Sequence, residues 1–73
     1  MKMTAKEMFE ELGFKQIRNN EDWMLYESIY DDFMIYFDKE FRTYTFKCNN
    51  LPVNVDIAEH MAITKQMKEL GWI

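Results

Sequence analysis

Cysteine, histidine and glycine are scarce in this chain of 73 residues, and each shortage excludes a class of protein. The single cysteine, Cys48, cannot form an intramolecular disulfide, so the chain is not a small disulfide scaffold. His60 is the only histidine, so any Ser–His or Cys–His scheme would depend on it alone. The two glycines, Gly13 and Gly71, each follow a predicted helix, which leaves none for a glycine-rich phosphate loop.

Long apolar runs and clustered basic residues are also missing. No run approaches the ~20 residues of a transmembrane helix, and no signal segment opens the chain, so we expect a cytoplasmic protein without membrane binding. Nine Lys and Arg residues against thirteen Asp and Glu residues give a net charge of −4. Because phosphate backbones attract clustered cations, nucleic acid is disfavoured as a partner, whereas a cationic protein is not.

Aromatic residues and methionine are abundant, with six Phe, four Tyr, two Trp and seven Met. The hydrophobic share of 48% beside 30% charged residues is typical of a globular chain. Residues 1–73 therefore predict a single domain with one modest core. Aromatic rings bury a large area and methionine fills irregular gaps, so both compensate for small size.

The clearest element is a helix within residues 56–73. Asp56 and Glu59 fit a capping box at its start, and Gly71 with Trp72 fits a left-handed ending. One stripe would carry His60, Ile63, Met67 and Leu70. These residues recur at spacings of 3, 4 and 3, as on one side of a helix, so the stripe is predicted to cover the core with Trp72 as its lid.

A second capping box, Thr4 with Glu7, predicts a helix over residues 5–12 that Gly13 ends. The period then changes to two, which predicts strands over residues 14–18, 23–29, 33–37 and 41–48. Their connections are short and rich in Asn and Asp, so the strands should form an antiparallel meander. An extended segment at residues 51–53 leads to the last helix. The predicted fold is an α+β two-layer sandwich of order α-β-β-β-β-α, a meander of three to four strands with both helices packed on one face.

Alternation along the strands predicts which side chains share a face. The inward set is Ile35 and Phe37 on the third strand, and Tyr44, Phe46 and Cys48 on the fourth. The second strand is divided between Trp23, Leu25 and Ile29 on one side and Met24 and Tyr26 on the other. The outward set is Met24, Tyr26, Met34 and Tyr36, with Thr43, Thr45 and Lys47 alongside.

This outward set is a candidate interaction face, because Tyr and Met are enriched at protein interfaces. The partner would be an unidentified protein or a second copy of the chain. Ordinary cross-strand pairing on an exposed sheet is the alternative explanation. Aromatic sheets also stack single-stranded nucleic acid, but the element order and the few basic residues disfavour that role.

Groups that could perform chemistry do not converge. Cys48 and His60 fit a nucleophile–base pair in principle, but a core-facing cysteine is better explained by packing. Four carboxylates flank the third strand: Asp31, Asp32, Asp38 and Glu40. They lie at opposite ends of that strand, roughly 15 Å apart, too far to share a cation or act as an acid–base pair. We therefore expect no catalytic residue, no metal, no cofactor and no enzymatic activity.

The two ends of the chain resemble those of small uncharacterised proteins carried by phages and prophages of Gram-positive bacteria. The resemblance lies in residues 4–14 (TAKEMFEELGF) and 63–72 (ITKQMKELGW). It implies a phage or mobile-element origin in a bacterial cytoplasm and assigns no site residues. The leading hypothesis is a non-enzymatic protein-interaction module, a phage accessory protein that binds a host or phage protein through the outer sheet face or an acidic helix face. The alternative is an acidic nucleic-acid-associated or DNA-mimicking regulator that acts through Glu7, Glu10, Glu11, Glu21 and Asp22.

Overall fold

The computed structural model describes residues 3–30, 32–48 and 54–73. Its elements are α1 (Ala5–Glu11), β1 (Phe14–Asn19), β2 (Trp23–Ser28), β3 (Met34–Asp38), β4 (Thr43–Lys47) and α2 (Ile57–Glu69). The strands form one antiparallel sheet in the order β1-β2-β3-β4, which confirms the predicted α+β meander between two helices. The predicted extended segment at residues 51–53 lies outside the described residues, as does Asp31.

Local signals fix both helix starts, as predicted. Thr4 Oγ1 accepts a hydrogen bond from the Glu7 backbone N–H at 3.1 Å, and the Thr4 N–H donates to Glu7 Oε1 at 2.9 Å. Asp56 and Glu59 form the same reciprocal pair at 2.7 and 3.0 Å. Each pair satisfies backbone donors that the first turn of a helix leaves without partners.

Glycines in the left-handed region end both helices, again as predicted. Gly71 has φ +78°, its N–H donates to the Lys68 carbonyl, and the N–H of Trp72 donates to the Met67 carbonyl. This pair of bonds is the Schellman motif. Gly13 has φ +88° after α1 and lies under the Tyr30 ring.

These two glycines give a matched pair of substitutions. Gly71→Ala should lower the free energy of unfolding by about 1 kcal/mol, because an L-residue in the left-handed region is strained. No further cost is expected, since the added methyl group meets no other atom. Gly13→Ala should cost about 2 kcal/mol, because its Cβ would also overlap the Tyr30 ring. Urea unfolding followed by circular dichroism measures both, and equal midpoints would show that Tyr30 does not cover Gly13 in solution.

The core lies between the sheet and the two helices. The Phe9 ring of α1 stacks on Tyr26 of β2 with a centroid distance of 4.1 Å, and Ile63 of α2 belongs to the same buried cluster. Trp72 packs against this cluster, 6.2 Å from Phe37 between ring centroids. Both helices therefore cover one face of the sheet, and the Trp72 ring closes that core at one side, as predicted.

A side chain of α2 also links the two helices directly. Glu69 Oε2 accepts the backbone N–H of Ala5 at 2.8 Å. Ala5 is the first residue of α1, so this carboxylate satisfies one of the unpaired donors there and lies at the positive end of the helix dipole. The end of α2 is thereby held against the start of α1.

The predicted outward placement of Met24 and Tyr26 is wrong. Met24 lies opposite Phe37 and Tyr26 lies opposite Ile35, and residues opposite each other share a face. Their side chains are 5% and 0% exposed, within the core. The reason is that β2 is apolar on both sides, so its own alternation does not tell the inner set from the outer one. The inward placement of Ile35 and Phe37 is confirmed. Phe46 and Tyr44 lie opposite them on the same side of the sheet, as predicted, and Tyr44 is 41% exposed there.

The predicted stripe on α2 is also displaced. His60 is exposed, whereas Ala62, Ile63 and Gln66 are buried and Met67 and Leu70 are partly buried. Gln66 takes a core position because Tyr26 Oη donates a hydrogen bond of 2.6 Å to its Oε1 atom. A buried amide is tolerated when it is hydrogen-bonded, so a polar residue can occupy the centre of the buried stripe.

Candidate functional site

The outer face of the sheet is the side that faces away from both helices. Its residues on the last three strands are Trp23, Leu25 and Glu27 on β2, Met34, Tyr36 and Asp38 on β3, and Thr43, Thr45 and Lys47 on β4. Of the four residues predicted to form the interaction face, the structure places Met34 and Tyr36 here. Met24 and Tyr26 belong to the core instead, so the predicted face combined two opposite sides of the sheet.

A shallow depression of about 330 Å³ lies in this face. Its lining residues are Arg18, Trp23, Leu25, Tyr36 and Thr45, which we call the outer-face cluster. Arg18 lies opposite Leu25, Leu25 opposite Tyr36, and Tyr36 opposite Thr45, so these residues form one row across all the strands. Trp23 stands beside the row, with its ring edge-to-face to Tyr36 at a centroid distance of 6.3 Å.

A β-bulge places Arg18 in this row. The register shifts between Gln16 and Arg18, so Arg18 rather than Ile17 lies opposite Leu25. In a regular strand the neighbour of Gln16 would take that position, and the row would begin with an isoleucine. Sequence reasoning missed Arg18, because a bulge leaves the alternation of a short polar strand almost unchanged.

The outer-face cluster combines exposed aromatic surface with one cation. The Trp23 side chain is 41% exposed, and Tyr36 is half-buried with its hydroxyl donating to Met34 Sδ at 3.4 Å. Within the described residues, no carboxylate pairs with the Arg18 guanidinium. Its described lining residues include no Asp, Glu, His or Cys, and the cluster offers apolar packing, hydrogen bonds and one positive charge.

A second, smaller depression of about 230 Å³ lies between the helices on the opposite side of the molecule. Met8 of α1 and Met61 of α2 contribute to its mainly apolar lining. Among the described residues that line it, none is aromatic or basic. We call it the interhelical groove, and it provides a contrast to the outer-face cluster.

The other residues singled out in the sequence have separate positions. Cys48 is half-buried just after β4, and His60 is exposed on α2. Asp38 Oδ1 accepts the backbone N–H groups of Glu40 and Phe41 at 3.0 and 3.1 Å, which is a turn-stabilising role. In the described ranges, no group of three or more His, Cys, Asp and Glu side chains is arranged to hold a metal ion.

The acidic residues of the DNA-mimic hypothesis lie in two places. Glu7, Glu10 and Glu11 are exposed on α1, and Glu21 and Asp22 are exposed in the turn between β1 and β2. Hydrogen bonds from the Thr4 backbone and side chain lower the pKa of Glu7. Glu7 is therefore already engaged in capping its own helix.

The fold and the outer-face cluster together define a small α+β protein with an open sheet and an aromatic depression on its uncovered side. Compared with family models, curated proteins and solved structures, the chain has no match. Neither helix in the described ranges has the length and apolar character needed to cross a bilayer.

Proposed function

We propose that the chain is a non-enzymatic protein-interaction module that binds a partner protein through the outer-face cluster. The observation that carries this proposal is the outward-facing row of Arg18, Leu25 and Tyr36 with the Trp23 ring beside it. Trp, Tyr and Arg are the residues most enriched among those that dominate binding energy at interfaces. Here all three types meet at one depression on rigid strands, so the anchors are already positioned before binding.

The residues of the outer-face cluster also indicate what kind of group on the partner would bind there. A volume of about 330 Å³ on an open face suits one or two inserted apolar side chains. The Arg18 guanidinium, which no carboxylate among the described residues pairs with, suits a carboxylate next to them, because a guanidinium and a carboxylate can form two parallel hydrogen bonds. The partner is therefore a protein that presents an apolar side chain beside an Asp or Glu.

We propose a phage or prophage setting, which is the expectation drawn from the residues at the two termini. In this proposal the chain is an accessory protein of a phage or prophage in the bacterial cytoplasm, and the partner is a host or phage protein. An accessory role needs binding rather than turnover, which agrees with a cluster made of packing and charge groups.

The test is a comparison of variants on one captured partner. The chain is used to capture proteins from a Gram-positive lysate, the captured protein is purified, and its Kd is measured by calorimetry against each variant. Trp23→Ala, Tyr36→Ala and Arg18→Glu should each weaken binding by about thirtyfold, the effect typical of a central anchor. Phe41→Ala, in an aromatic residue that is 71% exposed in the β3–β4 turn, is the matched control and should change nothing.

Two results would contradict the proposal. The first is a Kd that none of the three outer-face substitutions changes. The second is a captured protein that duplex DNA displaces and that binds more weakly after Glu10→Gln and Glu11→Gln, which would favour the DNA-mimicking alternative. Circular dichroism of every variant confirms that the fold is retained before its Kd is compared.

A further inference from the structure

We infer that two copies of this chain pair through β4 and form one continuous sheet. This inference concerns the edge of the sheet rather than the outer-face cluster, so it does not depend on the proposed function. Its starting point is a difference between the two edges, since β1 and β4 are the outermost strands of the described sheet.

The β1 edge has two features that prevent pairing with another strand. A bulge interrupts its register next to Ile17, and Lys15 and Arg18 are charged. Bulges and charges are common means by which edge strands avoid association. The β4 edge is regular instead: all five residues of Thr43–Lys47 pair with β3 without a register shift. The one charged residue of β4, Lys47, lies at its end.

An edge of this kind presents unpaired backbone N–H and C=O groups along one side, which an antiparallel strand can satisfy. No described segment pairs with that side of β4. A second copy of β4 fits it well when the two-fold axis passes through Thr45, the middle residue, because every residue of Thr43–Lys47 then has a partner.

This register is self-complementary in its side chains. On the inner side, Tyr44 lies opposite Phe46 of the second copy, and aromatic cross-strand pairs are favourable. Within one chain the Tyr44 and Phe46 rings are 6.0 Å apart between centroids, so four rings, two from each copy, would cluster at the junction. On the outer side, Thr45 faces Thr45, and Thr43 faces Lys47 of the second copy. No like charges lie directly opposite each other.

The dimer would place two outer-face clusters on the same side of one sheet. Tyr36 lies on β3, one strand from the edge. The Tyr36 residues of the two copies would therefore be about 14 Å apart, which is three strand spacings of ~4.8 Å. An edge of five residues buries little area, at the low end for a specific interface, so the dimer should be weak and dependent on concentration.

The experiment is sedimentation equilibrium over about 1 μM to 1 mM, with substitutions that change charge at Thr43. The mean mass of the parent chain should rise from 9.0 kDa towards twice that value. Thr43→Lys should weaken the dimer roughly tenfold, because it places like charges opposite each other twice. Thr43→Glu should strengthen it by a similar factor, and combining Thr43→Lys with Lys47→Glu should also strengthen it, because opposite charges then face each other twice. Ile17→Lys makes the same charge change at the β1 edge and should leave the mass unchanged.

A mass that stays at 9.0 kDa throughout would overturn the inference. A dimer whose dissociation is unchanged by both Thr43 substitutions but that dissociates after Trp23→Ala would also overturn it, because the outer face would then be the interface. Thr43 does not line the depression, so its variants should bind a captured partner as the parent does. A failure of the dimer is therefore distinguishable from a failure of the proposed function.

Discussion

Replacing Phe9 with alanine should remove a large part of the chain's stability and lower its midpoint of urea unfolding. The Phe9 side chain is fully buried, and its ring lies 4.1 Å from that of Tyr26, 5.8 Å from Phe14 and 6.3 Å from Phe37 between centroids. Removing such a ring costs about 3–5 kcal/mol. A chain of 73 residues has a total stability of about 4–11 kcal/mol, so this single cavity removes a large part of it.

Urea unfolding followed by far-ultraviolet circular dichroism measures the effect. Phe41→Ala is the matched control, because it makes the same chemical change at a side chain that is 71% exposed, and its stability should stay within about 0.5 kcal/mol of the parent. Equal midpoints for the two variants would mean that α1 does not pack on the inner face in solution.

Stability should fall steeply between pH 10 and pH 12 because of Tyr26. The pKa of its phenol is raised from 10.0 to about 12, mainly by burial; the hydrogen bond from Gln16 lowers it, and the negative charges of Glu69 and Glu10 raise it. Above pH 10 the unfolded chain loses this proton while the folded chain keeps it, so the free energy of unfolding decreases. A shift from 10.0 to about 12 corresponds to a loss of about 2–3 kcal/mol by pH 12.

The control for this prediction is Tyr26→Phe, which removes the titrating hydroxyl group and keeps the ring that fills the core. At neutral pH it should cost about 1–3 kcal/mol, because it leaves the buried Gln66 carbonyl oxygen without its donor. From about pH 9 to pH 12 the stability gap between parent and variant should shrink by about 2 kcal/mol, since only the parent carries the phenol. A gap that stays constant over this range would show that Tyr26 titrates alike in the folded and unfolded chains.

The features that the sequence predicted correctly are those set by residues close together in the chain. A capping box such as Thr4 with Glu7 joins residues three apart, and Gly71 ends α2 through bonds within its last turn. Short polar connections likewise settle the antiparallel meander. Each of these depends on local geometry, so tertiary packing does not alter it.

The errors concern which side of an element is buried, and that is decided by distant residues. Trp23 and Met24 are both apolar, so β2 alone gives no preference for one side over the other. Tyr26 becomes a core residue because Phe9 of α1 stacks on it and Gln66 of α2 accepts a hydrogen bond from its hydroxyl group. For the same reason, Ala62 and Gln66 lie on the buried side of α2, whereas His60, predicted to lie there, is exposed.

The candidate site was only partly predictable. Tyr36 and Thr45 were placed correctly on the outer face by alternation, but Arg18 reaches it only through the bulge beside Gln16. Trp23 and Leu25 were correctly grouped together, yet the group was not assigned to the outer face. The binding hypothesis stays a prediction, now with Trp23 and Arg18 in place of Met24 and Tyr26, and Trp and Arg are stronger anchors.

The most direct test of the central claim is a footprint of the captured partner on this chain. Two-dimensional NMR spectra of the labelled chain are recorded while the purified partner is added. The largest changes should fall on the Arg18 and Trp23 side chains and on the amides of Leu25, Tyr36 and Thr45. Changes centred instead on Met8 and Met61 would place the partner in the interhelical groove and contradict the account.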